Sequence, residues 1–367
     1  MDRLKIIFLA LSKKERVAFI VAAAVFLVSI ALLVSRFIYT NSNLVPARGG
    51  EYAEGFVGQP AYVNPVLASG DVDRSLTRLL FANLPALADS IDVSKDGKTW
   101  SVRLKPNLMW SDGHRLTSDD VMFTIAEVQS GETRSPLSSG WQGISALRVS
   151  ELEVQISLVA PYAFFKDTIA AFYPIPKHIF ASIPASNWRL SDYNLKPVGS
   201  GLYVFDGYDK EASGFINQYR MKPNESYSGG AGAGGGKNIP PFIAHVRFDF
   251  FSDSDTLLSA FNTGAVDGIT MPDIGTLINA KRSYHTYAWN IPSYYATFFN
   301  QGQSIPLKYL AVRKALGVSI DRDALINTVF GGNALPAYGP VPPGSGKATA
   351  SSTLPDGAVA SKEVAIK

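Results

Sequence analysis

Residues 96–121, DGKTWSVRLKPNLMWSDGHRLTSDDV, hold the most legible architecture in this chain. Asp96-Gly97 is hairpin-turn chemistry, and Trp100, Val102 and Leu104 then alternate with polar neighbours, the period of a half-buried strand. Trp110-Ser111-Asp112-Gly113 follows. Thr117 stands before Ser118-Asp119-Asp120-Val121, which sets a hydroxyl cap and two acids at a helix start. Val121, Met122, Ile125 and Val128 supply the apolar stripe of that helix. Strand, turn and capped helix in close succession point to an α/β fold.

The same alternation recurs on either side. Leu152, Val154, Ile156 and Leu158 read as a strand, and residues 144–149 can pair with it as a hairpin. Phe242, Ala244, Val246, Phe248 and Phe250 read as another. Residues 256–262 have helical character and Gly264 stops them. Leu307, Leu310, Ala311, Ala315 and Val318 keep helical spacing; Asp321 caps a further helix that ends at Gly331-Gly332. No repeat of 20–50 residues is present. The glycine-rich run at 228–236 reads as a surface loop, and 339–367 as a low-complexity tail without a sustained apolar pattern.

With 367 residues, 46% of them hydrophobic, the chain can bury more than one core. Lys and Arg number 34 against 31 Asp and Glu, and part of that excess is N-terminal. The body is thus near neutral and carries no electrostatic footprint for nucleic acid. There is no cysteine, which excludes disulfides, thiolate metal sites and thiol catalysis.

Residues 17–34 are uncharged and, at about 1.5 Å per helical residue, cover roughly 27 Å, close to a bilayer's hydrocarbon thickness. Arg3, Lys5, Lys13, Lys14 and Arg16 precede the run, against Asp2 and Glu15. Positive charge stays in the cytoplasm, so 1–16 lie inside and everything after Arg36 outside. Residues 4–11 are apolar too and suit a short interfacial helix. A cleaved signal peptide is the rival reading. Its apolar run is ordinarily about 7–15 residues and ends at a small-x-small site, which Arg36-Phe37-Ile38-Tyr39 does not offer. An uncleaved anchor is therefore expected over 17–35, with a stalk over 36–48.

Catalytic chemistry is hard to find. His114, His178, His245 and His285 show no metal-ligand spacing, so no metal site is expected. No nucleophile elbow, zinc-protease or P-loop motif occurs. A G-x-G-x-x-G match at 230–235 is trivial inside a glycine-rich loop, and Asn224-Glu225-Ser226 is an equally weak glycosylation sequon. Asp119 and Asp120 are explained by the helix start. No cofactor is implied.

Taken in order, the motifs resemble the large solute-binding proteins of ABC-type oligopeptide and dipeptide importers, the extracellular solute-binding family 5. The carriers are Tyr62-Val63-Asn64-Pro65 after Gly49-Gly50; Asp96-Gly97-Lys98-Thr99-Trp100 with the two motifs beyond it; and Pro197-Val198-Gly199-Ser200-Gly201-Leu202-Tyr203. Asn224-Glu225-Ser226-Tyr227, the spacing from Ala260 through Gly264 to Asp267, and Val312-Arg313-Lys314-Ala315-Leu316 with Ser319-Ile320-Asp321-Arg322 continue the series. The family's lipid-bearing cysteine is absent, and the transmembrane anchor takes its place.

The resemblance implies a two-lobed fold of the type II periplasmic-binding-protein kind with an extra subdomain. A first lobe falls at 49–72 and 196–300, the inserted subdomain at 73–195, and the start of a second lobe at 301–338. Family members continue past this point, so the second lobe is expected to be incomplete here, with the faces of its helices around 307–330 left uncovered. The function implied is cleft closure on a peptide and delivery to an ABC permease and its ATPase, without catalysis. Ligand-facing roles carry over to Tyr62 and Asn64, to Trp141 as a cover, to Thr270, Met271 and Pro272 as backbone partners, and to Tyr295 and Ala296 at the lobe crossing. For each of these residues packing in the core is the competing role. Similar scaffolds take oligosaccharides, nickel chelates or opines, and Trp289, Tyr294, Tyr295 and Trp141 would suit sugar rings as well. A membrane-anchored sensor ectodomain and a hydrolase are the remaining alternatives.

Overall fold

The computed structural model describes residues 12–41, 47–227, 241–270, 277, 279–287 and 295–337. Outside those residues lie the segments read above at 4–11, 228–236 and 339–367, and the candidates Met271, Pro272, Trp289 and Tyr294.

Helix α1 (Lys13–Asn41) is 29 residues long and buries none of them. It extends past the apolar run at both ends, because helical hydrogen bonding has no reason to stop where the hydrocarbon does. At its C-terminus Thr40 Oγ1 donates to the Arg36 carbonyl at 2.8 Å, and Asn41 Nδ2 to that of Phe37 at 2.9 Å. Its length of about 44 Å exceeds the roughly 30 Å of a bilayer core. Among the described residues it is the one helix long and apolar enough to cross a membrane, and it lies near the N-terminus. The basic residues before it place the body on the extracytoplasmic side.

The body, residues 49–367, is a separate unit. It begins with β1 (Glu51–Val57), α2 (Asp71–Leu80) and α3 (Leu84–Leu87). Strands β2 (Ala88–Val93) and β3 (Thr99–Leu104) precede α4 (Ser118–Gln129) and α5 (Ser138–Trp141). Then come β4 (Ser145–Ser150), β5 (Glu153–Ser157), α6 (Phe165–Ala170) and α7 (Lys177–Phe180). Strands β6 (Tyr203–Lys210), β7 (Ile216–Pro223) and β8 (His245–Phe251) lead to α8 (Ser254–Thr263) and β9 (Gly268–Thr270). Among the described residues the chain closes with α9 (Ile305–Lys308), α10 (Leu310–Ser319) and α11 (Arg322–Phe330).

Two sheets result. One is antiparallel in the order β2-β3-β5-β4, with the Asp96-Gly97 turn joining its first pair. The other runs β6-β7-β8-β1-β9, with β1 parallel to both β8 and β9. Strand β1 arrives from far away in sequence and inserts between two strands joined by α8. One face of this sheet (Phe56, Phe248, Phe250) shares a continuous core with Val102, Trp110, Val154 and Trp188 of the segment that carries the antiparallel sheet. The opposite face packs under α8 through Ala53, Leu258, Phe261 and Val266.

The expected punctuation is present. Thr117 and Asp120 form a capping box on α4, with Thr117 N–H donating to Asp120 Oδ2 at 2.9 Å. Asp253 caps α8, and Gly264 ends it at φ +77°. Asp321 caps α11, which ends at Gly331 with φ +55°. One difference is that the helical spacing from Leu307 to Val318 is broken at Tyr309, whose extended ψ of 126° separates α9 from α10. Helices α9 and α10 bury no residue and α11 buries Ile326 alone, so a shared apolar spacing had no packing partner to hold one continuous helix.

Candidate functional site

In a sheet with parallel strands, ligands bind outside the carboxyl ends of those strands. Here the relevant ends are those of β1 and β9. Phe56 pairs with Thr270, so the two strands finish side by side. Among the described residues β9 is the sheet's edge, with its outer backbone groups unpaired by any strand. Asp267 fixes this strand: its Oδ2 accepts from Ala53 N–H at 2.9 Å and its own N–H donates to Ala53 O at 2.8 Å. The carboxylate of Glu54 receives Thr270 Oγ1–H at 2.7 Å and also the phenol of Tyr52.

Beyond β1 the chain turns through Gly58 and reaches Tyr62-Val63-Asn64-Pro65. Val63 is wholly buried and its N–H donates to Asn194 O at 2.8 Å. Tyr62 is half-buried, with the Arg189 guanidinium 5.0 Å from its ring centroid. Asn64 is buried; Oδ1 accepts from Val66 N–H at 3.0 Å, while Nδ2 finds no acceptor among the described residues. Asn64 therefore shapes the turn from within, and Tyr62 gives it an outer surface.

The other candidates are distributed differently. Trp141 is 2% exposed and lies against Phe172, at 4.5 Å between ring centroids, and Phe165, at 5.8 Å. Its short helix α5 turns the indole inward, so in this conformation it offers a ligand no surface. Tyr295 is 88% exposed, its ring 5.4 Å from that of Phe330, and Ala296 beside it is exposed too. Further along the chain Ile305, Tyr309, Leu310, Leu325 and Val329 are also open. The structure thus places Thr270 beside the end of β1, puts Tyr62 in the loop that leaves that strand, and sets Trp141 in the core.

Asp73 is the residue that motif reading missed. From the first turn of α2 its Oδ1 accepts from Ala61 N–H at 2.8 Å and Tyr62 N–H at 3.0 Å, tying the Tyr62 loop to that helix. Its sequence signal is an acid at a helix start, which the helix macrodipole alone would account for. Burial raises the Asp73 carboxyl above its ordinary range, against the lowering effect of the two amides and of Arg74. A raised folded-state pKa means the folded chain holds the proton longer than the unfolded chain. The associated stability is complete below the unfolded pKa and is lost as pH rises through the folded one. Asp73→Asn keeps an acceptor oxygen for both amides and removes that loss. Urea melts from pH 4 to 7 should show the wild type falling relative to Asp73→Asn, whereas Asp73→Ala should be destabilised throughout. Parallel curves for wild type and Asp73→Asn would show that the carboxylate is not desolvated.

The signature of the bacterial extracellular solute-binding proteins, family 5, matches residues 84–363, and the chain belongs to that family, one of transport carriers rather than catalysts. Among characterised relatives it is 23% identical over 313 residues to the oligopeptide-binding protein AppA of Bacillus subtilis, covering 81% of this chain and 55% of that protein. It is 26% identical over 303 residues to the dipeptide-binding protein of Lactococcus lactis, covering 74% of this chain and 53% of the relative. The crystal structure of the ABC transporter substrate-binding protein CtaP from Listeria monocytogenes superposes with a TM-score of 0.63 at 30% identity, over 81% of this chain and 60% of that one. The chain spans just over half the length of the curated relatives it matches.

Proposed function

We propose that this chain forms the membrane-tethered peptide-gripping part of a solute-binding receptor for an ABC importer. The observation that carries the reading is strand β9, the sheet's edge among the described residues, which pairs with the carboxyl-terminal half of β1. An extended peptide can join such an edge through main-chain hydrogen bonds, which do not depend on side-chain identity. Tyr62, in the loop beyond β1, would provide an aromatic wall, and the family resemblance assigns the backbone partners to Thr270, Met271 and Pro272. Tyr295 and Ala296 stand where the chain leaves for a second lobe, whose closure would shift the population to a loaded form recognised by the permease and its ATPase. Asn64, Asp73 and Trp141 serve the shape of the grip rather than its surface.

Mass spectrometry of the small molecules retained through detergent purification tests the cargo. A mixture of intact peptides of varied sequence is expected. A single sugar, opine or metal chelate would replace the peptide reading, and peptides converted to fragments during incubation would overturn the carrier reading.

A further inference from the structure

The loop after β3 and the helix α7 meet at a cluster that neither strand end uses. Asp112, His114 and His178 each direct one ligand-type atom into a common space, all within 4.8 Å of one another. Asp112 Oδ2 lies 2.7 Å from His178 Nε2 and 3.3 Å from His114 Nδ1. The two imidazoles stack with centroids 4.1 Å apart and planes 21° from parallel, so both rings present nitrogen to the same carboxylate oxygen.

The framework behind these groups is built rather than incidental. Gly113, at φ +87°, allows the tight turn that sends the chain back past Asp112. Trp110 N–H donates to His114 O at 2.8 Å, and Met109 and Arg115 bridge just beyond, so His114 is held at a hairpin mouth. Asp112 Oδ1 accepts from His114 N–H at 3.1 Å, which orients the carboxylate and leaves Oδ2 for the imidazoles. On the other side the buried Asp120 accepts from Lys177 N–H at 2.9 Å and fixes the start of α7, and with it His178. Outer-shell partners of this kind orient metal ligands.

We propose that Asp112, His114 and His178 form a binding site for a divalent transition-metal ion of the zinc class. Two imidazoles and one carboxylate match the donor preference of zinc-like ions, and three protein ligands leave a coordination position open. For metal–ligand bonds of about 2.0 Å, tetrahedral ligand atoms stand roughly 3.3 Å apart. The Asp112–His114 spacing already has that value, and the Asp112–His178 spacing needs to widen by about half an ångström. His114, with its side chain largely in solvent, can splay to admit the ion. The open position would face a shallow pocket bordered by Arg115, Asp119, Lys177 and Ser182. This site is independent of peptide binding at the β1 and β9 ends.

The test is calorimetric titration of the detergent-purified full chain, freed of metal by a chelator, with zinc chloride, repeated with cobalt to follow its visible spectrum. One saturable equivalent is expected in the wild type. His114→Ala, His178→Ala and Asp112→Asn should each weaken it by more than the roughly 10–100-fold typical of losing an outer-shell partner. His245→Ala, an exposed histidine on β8 outside the cluster, should leave the affinity unchanged. His114→Ala removes an exposed ring, so an unaltered melting curve separates lost ligation from lost folding. Absence of a saturable site in the wild type, or wild-type affinity in His114→Ala, would overturn the assignment; the second result would place any bound ion elsewhere.

Discussion

Trp141→Ala is expected to lower the free energy of unfolding by about 3–5 kcal/mol, the range for removing a fully packed aromatic side chain. The indole is 2% exposed and sits between Phe165 and Phe172 in the main core. Its carbonyl also accepts from Gln129 Nε2 at 2.5 Å, and the same amide reaches Ile144 O at 2.6 Å, tying α4 to the approach of β4. Truncation would leave a cavity that α4, α5 and α6 can only partly fill. Chemical denaturation checks the magnitude, and ligand affinity of the remaining folded fraction should be nearly unchanged. A variant as stable as the wild type that binds ligand poorly would restore the covering role that the family resemblance implies.

Gly201→Ala should destabilise by about 3 kcal/mol or more, near the upper part of the range for overpacking. A Cβ on Gly201 would stand 2.6 Å from Phe81 N, and also against the Leu79 and Leu80 carbonyl groups. Those atoms are backbone and cannot swing away as a side chain can. The contact is also fully bonded. Gly201 N–H donates to Leu80 O at 2.9 Å, Ala82 N–H donates to Ser200 Oγ at 3.1 Å, and Asn224 Nδ2 donates to Gly201 O at 2.8 Å. Gly199 meets the same wall, its Cβ position 2.9 Å from the Leu80 carbonyl carbon. The Gly199-Ser200-Gly201 motif therefore lets the end of α2 touch the strand entering β6. Gly140→Ala is the contrast: open space surrounds its Cβ and φ is ordinary, so it should be neutral or gain up to about 1 kcal/mol. Equal stability of Gly201→Ala and Gly140→Ala in thermal melts would dismiss the close-approach explanation.

Much of the fold was readable residue by residue. The Asp96-Gly97 turn, the alternation on β3, β5 and β8, the capping pair Thr117 and Asp120, and the stops at Gly264 and Gly331 each depend on neighbours a few positions away. Glycine motifs were visible as motifs, but the reason for them was not. Nothing around Gly201 indicates that the backbone of Leu80 will press on it. The candidate site was less legible still. Tyr62 and Thr270 came from family resemblance, and Asp73 looked like an ordinary helix-start acid although it holds the Tyr62 loop through two hydrogen bonds.

By itself the sequence determined the anchor, the α/β alternation and the places where elements begin and end, because those follow from hydrophobic period and from local cap and turn chemistry. Only the tertiary structure decided that β1 inserts between β8 and β9, that Trp141 faces inward, and that Asp112 meets His178 from 66 residues away. Such meetings are set by which faces bury one another. A linear pattern names the face of each element, but long-range packing selects its partner.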